Sequence, residues 1–141
     1  MIDMSAREDQ PLGLLLVRVA AALRSEVIAG VLEPLDLSFP QYICMRILSH
    51  SPGRSNAELA RDANVSPQAM NMVLRGLQDR GLVTRPATVA AGRSLPAKLT
   101  KDGAALLVDV DPGVRDAERK VLAPLSEQDR RHFRRLLAAL S

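Results

Sequence analysis

Aromatic residues are nearly missing from this 141-residue chain, which has no tryptophan, one tyrosine and two phenylalanines. Its core must therefore be aliphatic. A single cysteine, Cys44, excludes an internal disulfide and suits a reducing cytosol. The two histidines, His50 and His132, have no cysteine or acidic cluster nearby, so neither a metal nor another cofactor is expected. No apolar run approaches membrane-spanning length, and the opening MIDMSARED lacks the charged-then-apolar order of a signal peptide. A soluble cytoplasmic chain with no membrane partner is the expectation. The groups an enzyme needs are missing too: no nucleophile–base pair, carboxylate pair or glycine-rich phosphate loop can be traced. No catalytic residue is assigned, and the sequence shows no internal repeat.

What is present is the composition of one globular domain, 47% hydrophobic and 25% charged. The net charge of +3 is unevenly spread. Residues 54–101 hold eight basic side chains (Arg54, Arg61, Arg75, Arg80, Arg85, Arg93, Lys98 and Lys101) against Glu58, Asp62 and Asp79. The middle of the chain is thus basic and its flanks slightly acidic. That pattern suits a polyanion-binding module on a different kind of framework.

Residues 1–10 read as a flexible tail. From Pro11 to Ala29, Leu12, Leu15, Leu16, Val19, Leu23 and Val27 recur at three- and four-residue steps, which predicts an amphipathic helix with Gly30 as its stop. After the connector LEPLD, Ser38 and Gln41 form a capping box with Pro40 in the first turn, opening the apolar helix YICMRIL. Ser55 and Glu58 form a second box over NAELARDA, and Asn64 and Val65 make a tight turn. Ser66 at the cap and Pro67 at the first position then start SPQAMNMVLRGLQDRG. Two short helices joined by so tight a turn read as a helix-turn-helix. On the second, Met70, Val73, Leu74 and Leu77 face inward, leaving Gln68, Asn71, Met72 and Arg75 outward. LVTRP and PAKLT flank a small-residue tip, as in a two-stranded hairpin with its prolines at strand ends. A helix from Lys101 to Leu122 follows, with a kink expected at Pro112-Gly113. Ser126 and Asp129 cap a last helix striped by Phe133, Leu136, Leu137 and Leu140.

The stretches LSFPQYICMRIL, NAELARDANVSPQAMNMVLRGLQDRGLV and GRSLPAKLTKDGAALL resemble the MarR family of winged helix-turn-helix transcription regulators. With the terminal helices, the likeness covers nearly the whole chain. It implies a mainly α fold: a winged helix-turn-helix with a two-stranded β-wing over residues 38–103, and dimerisation helices over 11–37 and 104–141. It further implies a homodimer that binds a pseudo-palindromic site on double-stranded DNA as a repressor associated with the nucleoid.

On such a fold Gln68 and Asn71 would each pair with an adenine edge. Arg75 would meet a phosphate or a guanine, and Ser66 with Pro67 at the helix start would face a phosphate. Met72 stands where the family often has a polar or basic residue; it would either touch a thymine methyl or lie flat on the protein surface. Arg93, on a tip kept slim by Ala90, Ala91 and Gly92, would enter the minor groove. The family usually has an acid two positions earlier, where this chain has Ala91, so Arg93 is either less pre-organised or steadied by Ser94. Arg85, Lys98 and Arg54 would contact the DNA backbone.

The resemblance also implies release by a small aromatic or phenolic acid, salicylate-like, held where dimerisation helices meet the winged domain. Phe39, Tyr42, Met45 and Arg46 are the candidate lining, with Tyr42 and Arg46 placed for a carboxylate or hydroxyl. Two alternatives stand beside the repressor. A winged-helix protein-interaction module would show an apolar exposed face on the second motif helix, at Met70 and Met72. A thiol redox sensor would use Cys44, although its apolar neighbours favour a buried, inert thiol.

Overall fold

A computed structural model describes residues 4–85 and 96–141. The described residues form seven α-helices and two paired strands: α1 (Met4–Glu8), α2 (Leu12–Val27), α3 (Phe39–His50), α4 (Asn56–Asp62), α5 (Pro67–Asp79), strands β1 (Val83–Thr84) and β2 (Lys98–Leu99), α6 (Lys101–Val121) and α7 (Glu127–Leu140). The two strands run antiparallel, pairing Val83 with Leu99 and Thr84 with Lys98.

Local sequence sets most helix starts. The Ser38 side chain accepts from the Gln41 N–H at 3.1 Å while Gln41 reaches back to the Ser38 N–H at 3.0 Å. Ser55 and Glu58 make the same reciprocal pair, and Ser66 and Ser126 cap α5 and α7. Each cap satisfies amides that the first helical turn leaves without partners. Asn64 closes the turn between α4 and α5 with φ +55°, a left-handed conformation that asparagine tolerates better than most residues.

The core lies where α3, α4 and α5 meet the hairpin root. Leu32, Cys44, Met45, Leu59, Met70, Leu74, Leu77 and Ala97 are fully enclosed there. α6 adds Leu107 and Val110 and packs along α2. At the start of α6, Thr100 both accepts from the Gly103 N–H and donates to the Gly81 carbonyl at 2.6 Å. Gly103 sits directly against the Leu82 backbone, an approach that leaves no room for a side chain.

Two expectations are corrected. The N-terminal segment is not wholly a tail, because Met4–Glu8 is a short helix. Gly30 does not stop the first long helix. The backbone passes through it in a π-helical turn, Ile28–Leu32, then a 3-10 turn, Glu33–Leu35, and breaks only at Asp36 with φ +51°. The added residue per turn brings Val31 and Leu32 into the core, and their burial outweighs the stop signal. As expected, α6 runs as one helix from Lys101 to Val121 with Pro112 inside it. Gly113 is a close-packing point, since a Cβ there would come within 2.8 Å of Val31.

Candidate nucleic-acid interface

α5 is divided lengthwise. Met70, Leu74 and Leu77 are enclosed and Val73 is half-buried, which fixes the rotation of the helix. Gln68, Asn71, Met72 and Arg75 stand exposed at i, i+3, i+4 and i+7, a single stripe pointing away from the core. Asn56, from the start of α4, donates to the Pro67 carbonyl at 3.1 Å and ties the two motif helices together at the end where the stripe begins. The Ser66 hydroxyl accepts from the Ala69 N–H at 3.0 Å, leaving Pro67 and Gln68 exposed at the positive end of the α5 dipole.

The basic side chains around this stripe differ in how they are held. Arg75 and Lys98 are exposed and have no acidic partner among the described residues. Arg54 is half-buried, donating to Glu58 at 2.8 Å with Asp62 at 3.8 Å from its Nε. That hydrogen bond holds the Glu58 carboxyl below its usual range. Arg85 is gripped through Nε and Nη2 by the Gln78 side chain, at 3.2 and 3.0 Å. A guanidinium has five donors, so both arginines keep N–H groups for another acceptor. Arg93 and Ser94 lie outside the described residues.

The lining expected for an effector is only partly assembled. Phe39 and Tyr42 lie with ring centroids 6.3 Å apart, and the Arg24 guanidinium sits 5.0 Å over the Phe39 ring. Arg46 donates to the Tyr42 hydroxyl at 2.9 Å and pairs with Asp111 of α6. Burial opposes the charge on Arg46, but its hydrogen bonds to Asp111 and Tyr42 outweigh that and hold it protonated. These contacts join α2, α3 and α6. Met45 is not part of this lining: α3 is covered on two sides, and position 45 falls on the side enclosed by the core. A groove of about 620 Å³ lies elsewhere, lined by Leu23, Phe133, Leu137, Arg115 and Arg134 of α2, α6 and α7 and by Leu122 just after α6.

Neither sequence alternative gains support. Met70 is enclosed, which leaves Met72 as the one large exposed apolar side chain of α5 and no continuous apolar face. Cys44 is fully enclosed, and burial pushes its thiol up to about 12, far from the thiolate a redox sensor needs. Among the described residues no cluster of histidine, cysteine or acidic side chains could hold a metal, and no helix is long and apolar enough to cross a membrane.

Sequence reasoning missed Asp111, Gln78, Asn56 and Thr100. Thr100 alone carried a local signal, as a cap residue three positions before Gly103.

Comparison with known proteins agrees with this geometry. Residues 35–94 match the model of the MarR family. The HTH-type transcriptional repressor Rv2887 of Mycobacterium tuberculosis is 54% identical over 97% of this chain and 98% of its own length. Two crystal structures of that M. tuberculosis protein superpose with a TM-score of 0.78 each. The complex with salicylic acid is 54% identical, covering 96% of this chain and 99% of the other. The complex with DNA is 51% identical, covering 94% and 99%. An outward polar stripe on a capped second helix, a hairpin rooted beside it, and identity that runs from end to end leave one conclusion: the chain belongs to the MarR family.

Proposed function

We propose that this chain is a homodimeric, ligand-responsive repressor, acting in the cytoplasm on nucleoid DNA rather than as an enzyme. The observation that carries this reading is the exposed stripe of Gln68, Asn71, Met72 and Arg75 on a helix whose other face is locked into the core. Its dimensions suit a major groove, where Gln68 and Asn71 would read adenine edges and Arg75 a guanine or a phosphate. The Ser66 hydroxyl at the helix start, with Arg54, Arg85 and Lys98, would hold phosphates, and Pro67, which has no N–H, would rest against the DNA backbone. Arg93, with Ser94, would enter the adjacent minor groove.

A second copy of the chain is the natural cover for the apolar surface. Among the described residues, exposed large apolar side chains collect on the arms: Leu12, Leu14, Leu16 and Val17 on α2, Leu136, Leu137 and Leu140 on α7. α7 buries none of its residues within the chain. Two-fold pairing through these arms would set recognition helices about 34 Å apart, one turn of DNA.

The structures of the mycobacterial repressor with salicylic acid and with DNA support a salicylate-like effector for this chain. Its carboxylate would compete with Asp111 for Arg46 beside Tyr42 and Phe39. Breaking that link between α3 and α6 would favour a spacing of the recognition helices that DNA does not accept.

The test is a footprint of the full-length protein on the intergenic DNA beside its own coding region, at two salt concentrations, with and without salicylate. A protected pseudo-palindrome, weakened by salt and cleared by salicylate, is the expected result. Protection that is independent of sequence would overturn the proposal.

A further inference from the structure

We infer that Met72 is a specificity-determining residue that reads the 5-methyl group of a thymine in each half-site. The inference rests on the DNA-binding reading above and names what one position of that interface recognises. Met72 is 72% exposed, so it does not lie flat on the protein surface. Every other large apolar side chain exposed to a comparable degree among the described residues belongs to α1, α2, α6 or α7. Among the described residues of the winged-helix body Met72 is therefore the exception, an apolar side chain left in water at the centre of the polar stripe.

Its neighbours decide what can cover it. Gln68 lies one turn before it, Arg75 nearly one turn after, and Asn71 beside it, all exposed. An apolar protein partner would have to strip water from two amides and a guanidinium to reach one thioether, with no apolar patch to reward it. A base-pair edge in the major groove presents the opposite arrangement, hydrogen-bonding groups with a methyl among them wherever thymine occurs. Gln68 and Asn71 are suited to adenine, and the methyl of its paired thymine, or of a neighbouring one, lies on the same groove floor. Methionine is long, unbranched and adaptable, and its terminal methyl can settle against that group without a fixed rotamer.

The position also limits damage from testing it. Met72 is mostly exposed, so little of the described fold rests on it, and alanine and glutamine both favour helix. The experiment selects a preferred site from random duplexes with the full-length protein, then replaces each thymine of that site in turn by deoxyuridine. This removes only the methyl. Wild-type protein should lose about fourfold in affinity at one thymine per half-site, and about fifteenfold when both symmetry-related positions are replaced together. Met72→Ala and Met72→Gln should bind the unmodified site more weakly by similar factors and be indifferent to uridine at those positions. Selection of a defined site with no thymine sensitive to methyl removal overturns the inference and leaves DNA recognition standing. So does a Met72→Ala protein that remains as sensitive as the wild type. Failure to select any sequence overturns the DNA-binding reading and this inference together.

Discussion

Replacing Gly103 by alanine tests how the hairpin root and α6 are joined. The new Cβ would fall on the Leu82 carbonyl oxygen, well inside contact distance, and within 3.1 Å of its carbonyl carbon and 3.2 Å of Leu99 Cδ2. The oxygen has little freedom to retreat. It accepts from the Thr100 N–H at 3.1 Å, and the Leu82 N–H is itself bonded to Leu77 at 2.9 Å. Overpacking costs about 1–3 kcal/mol, and a tethered backbone atom puts this case at the upper end. Alanine in a helix returns about 0.8 kcal/mol relative to glycine, so the net loss is about 2 kcal/mol. For a chain of this size Tm should fall by about 6–8 °C. Thermal melts followed by circular dichroism measure this, at matched protomer concentration because a dimer's Tm depends on it. A variant that melts with the wild type or above it would refute the reasoning, since α6 could then back away from the hairpin without cost.

Further outcomes follow from the core and the caps. Cys44, pushed up to about 12 from an ordinary 9.0, should resist iodoacetamide in the native protein and react once the chain is unfolded in denaturant. The folded state holds that proton more tightly, so its contribution to stability is complete below pH 9.0 and is lost as pH rises through about 12, which alkaline melts would show. Ser66→Ala should cost about 1 kcal/mol by removing the α5 cap. Ser66→Asp should restore the melting temperature but weaken binding to every DNA sequence, measured by fluorescence anisotropy, because its carboxylate faces the phosphate the serine would have held.

The sequence made the helix starts legible because capping is local. Ser38 with Gln41, Ser55 with Glu58, Ser66 with Ala69 and Ser126 with Asp129 each act over three residues, and all four hold in the structure. The outward stripe of α5 was legible for the same reason, since the period of one helix determines it. What escaped depends on distant partners. Arg46 finds Asp111 65 residues away, and no local pattern couples them. The π-helical turn across Gly30 exists because Val31 and Leu32 are wanted in a core built by other elements. Met45 looked like a ligand-facing neighbour of Arg46, but the depth of α3 becomes visible only when its second side is covered. Charge counting also overstated the free positive surface, because Arg54 and Arg85 are each partly engaged by neighbours.

The clasp at the end of α5 carries a mechanical meaning. Arg80 donates to the carbonyls of Asp36 and Leu35, at 2.7 and 2.9 Å. Those two carbonyls form the bend where the first long arm of the protein enters the winged body. α5 is thus bolted to the same bracket that supports the arm. In the proposed repressor a swing of the arm would turn that helix directly, like a key fixed to its handle.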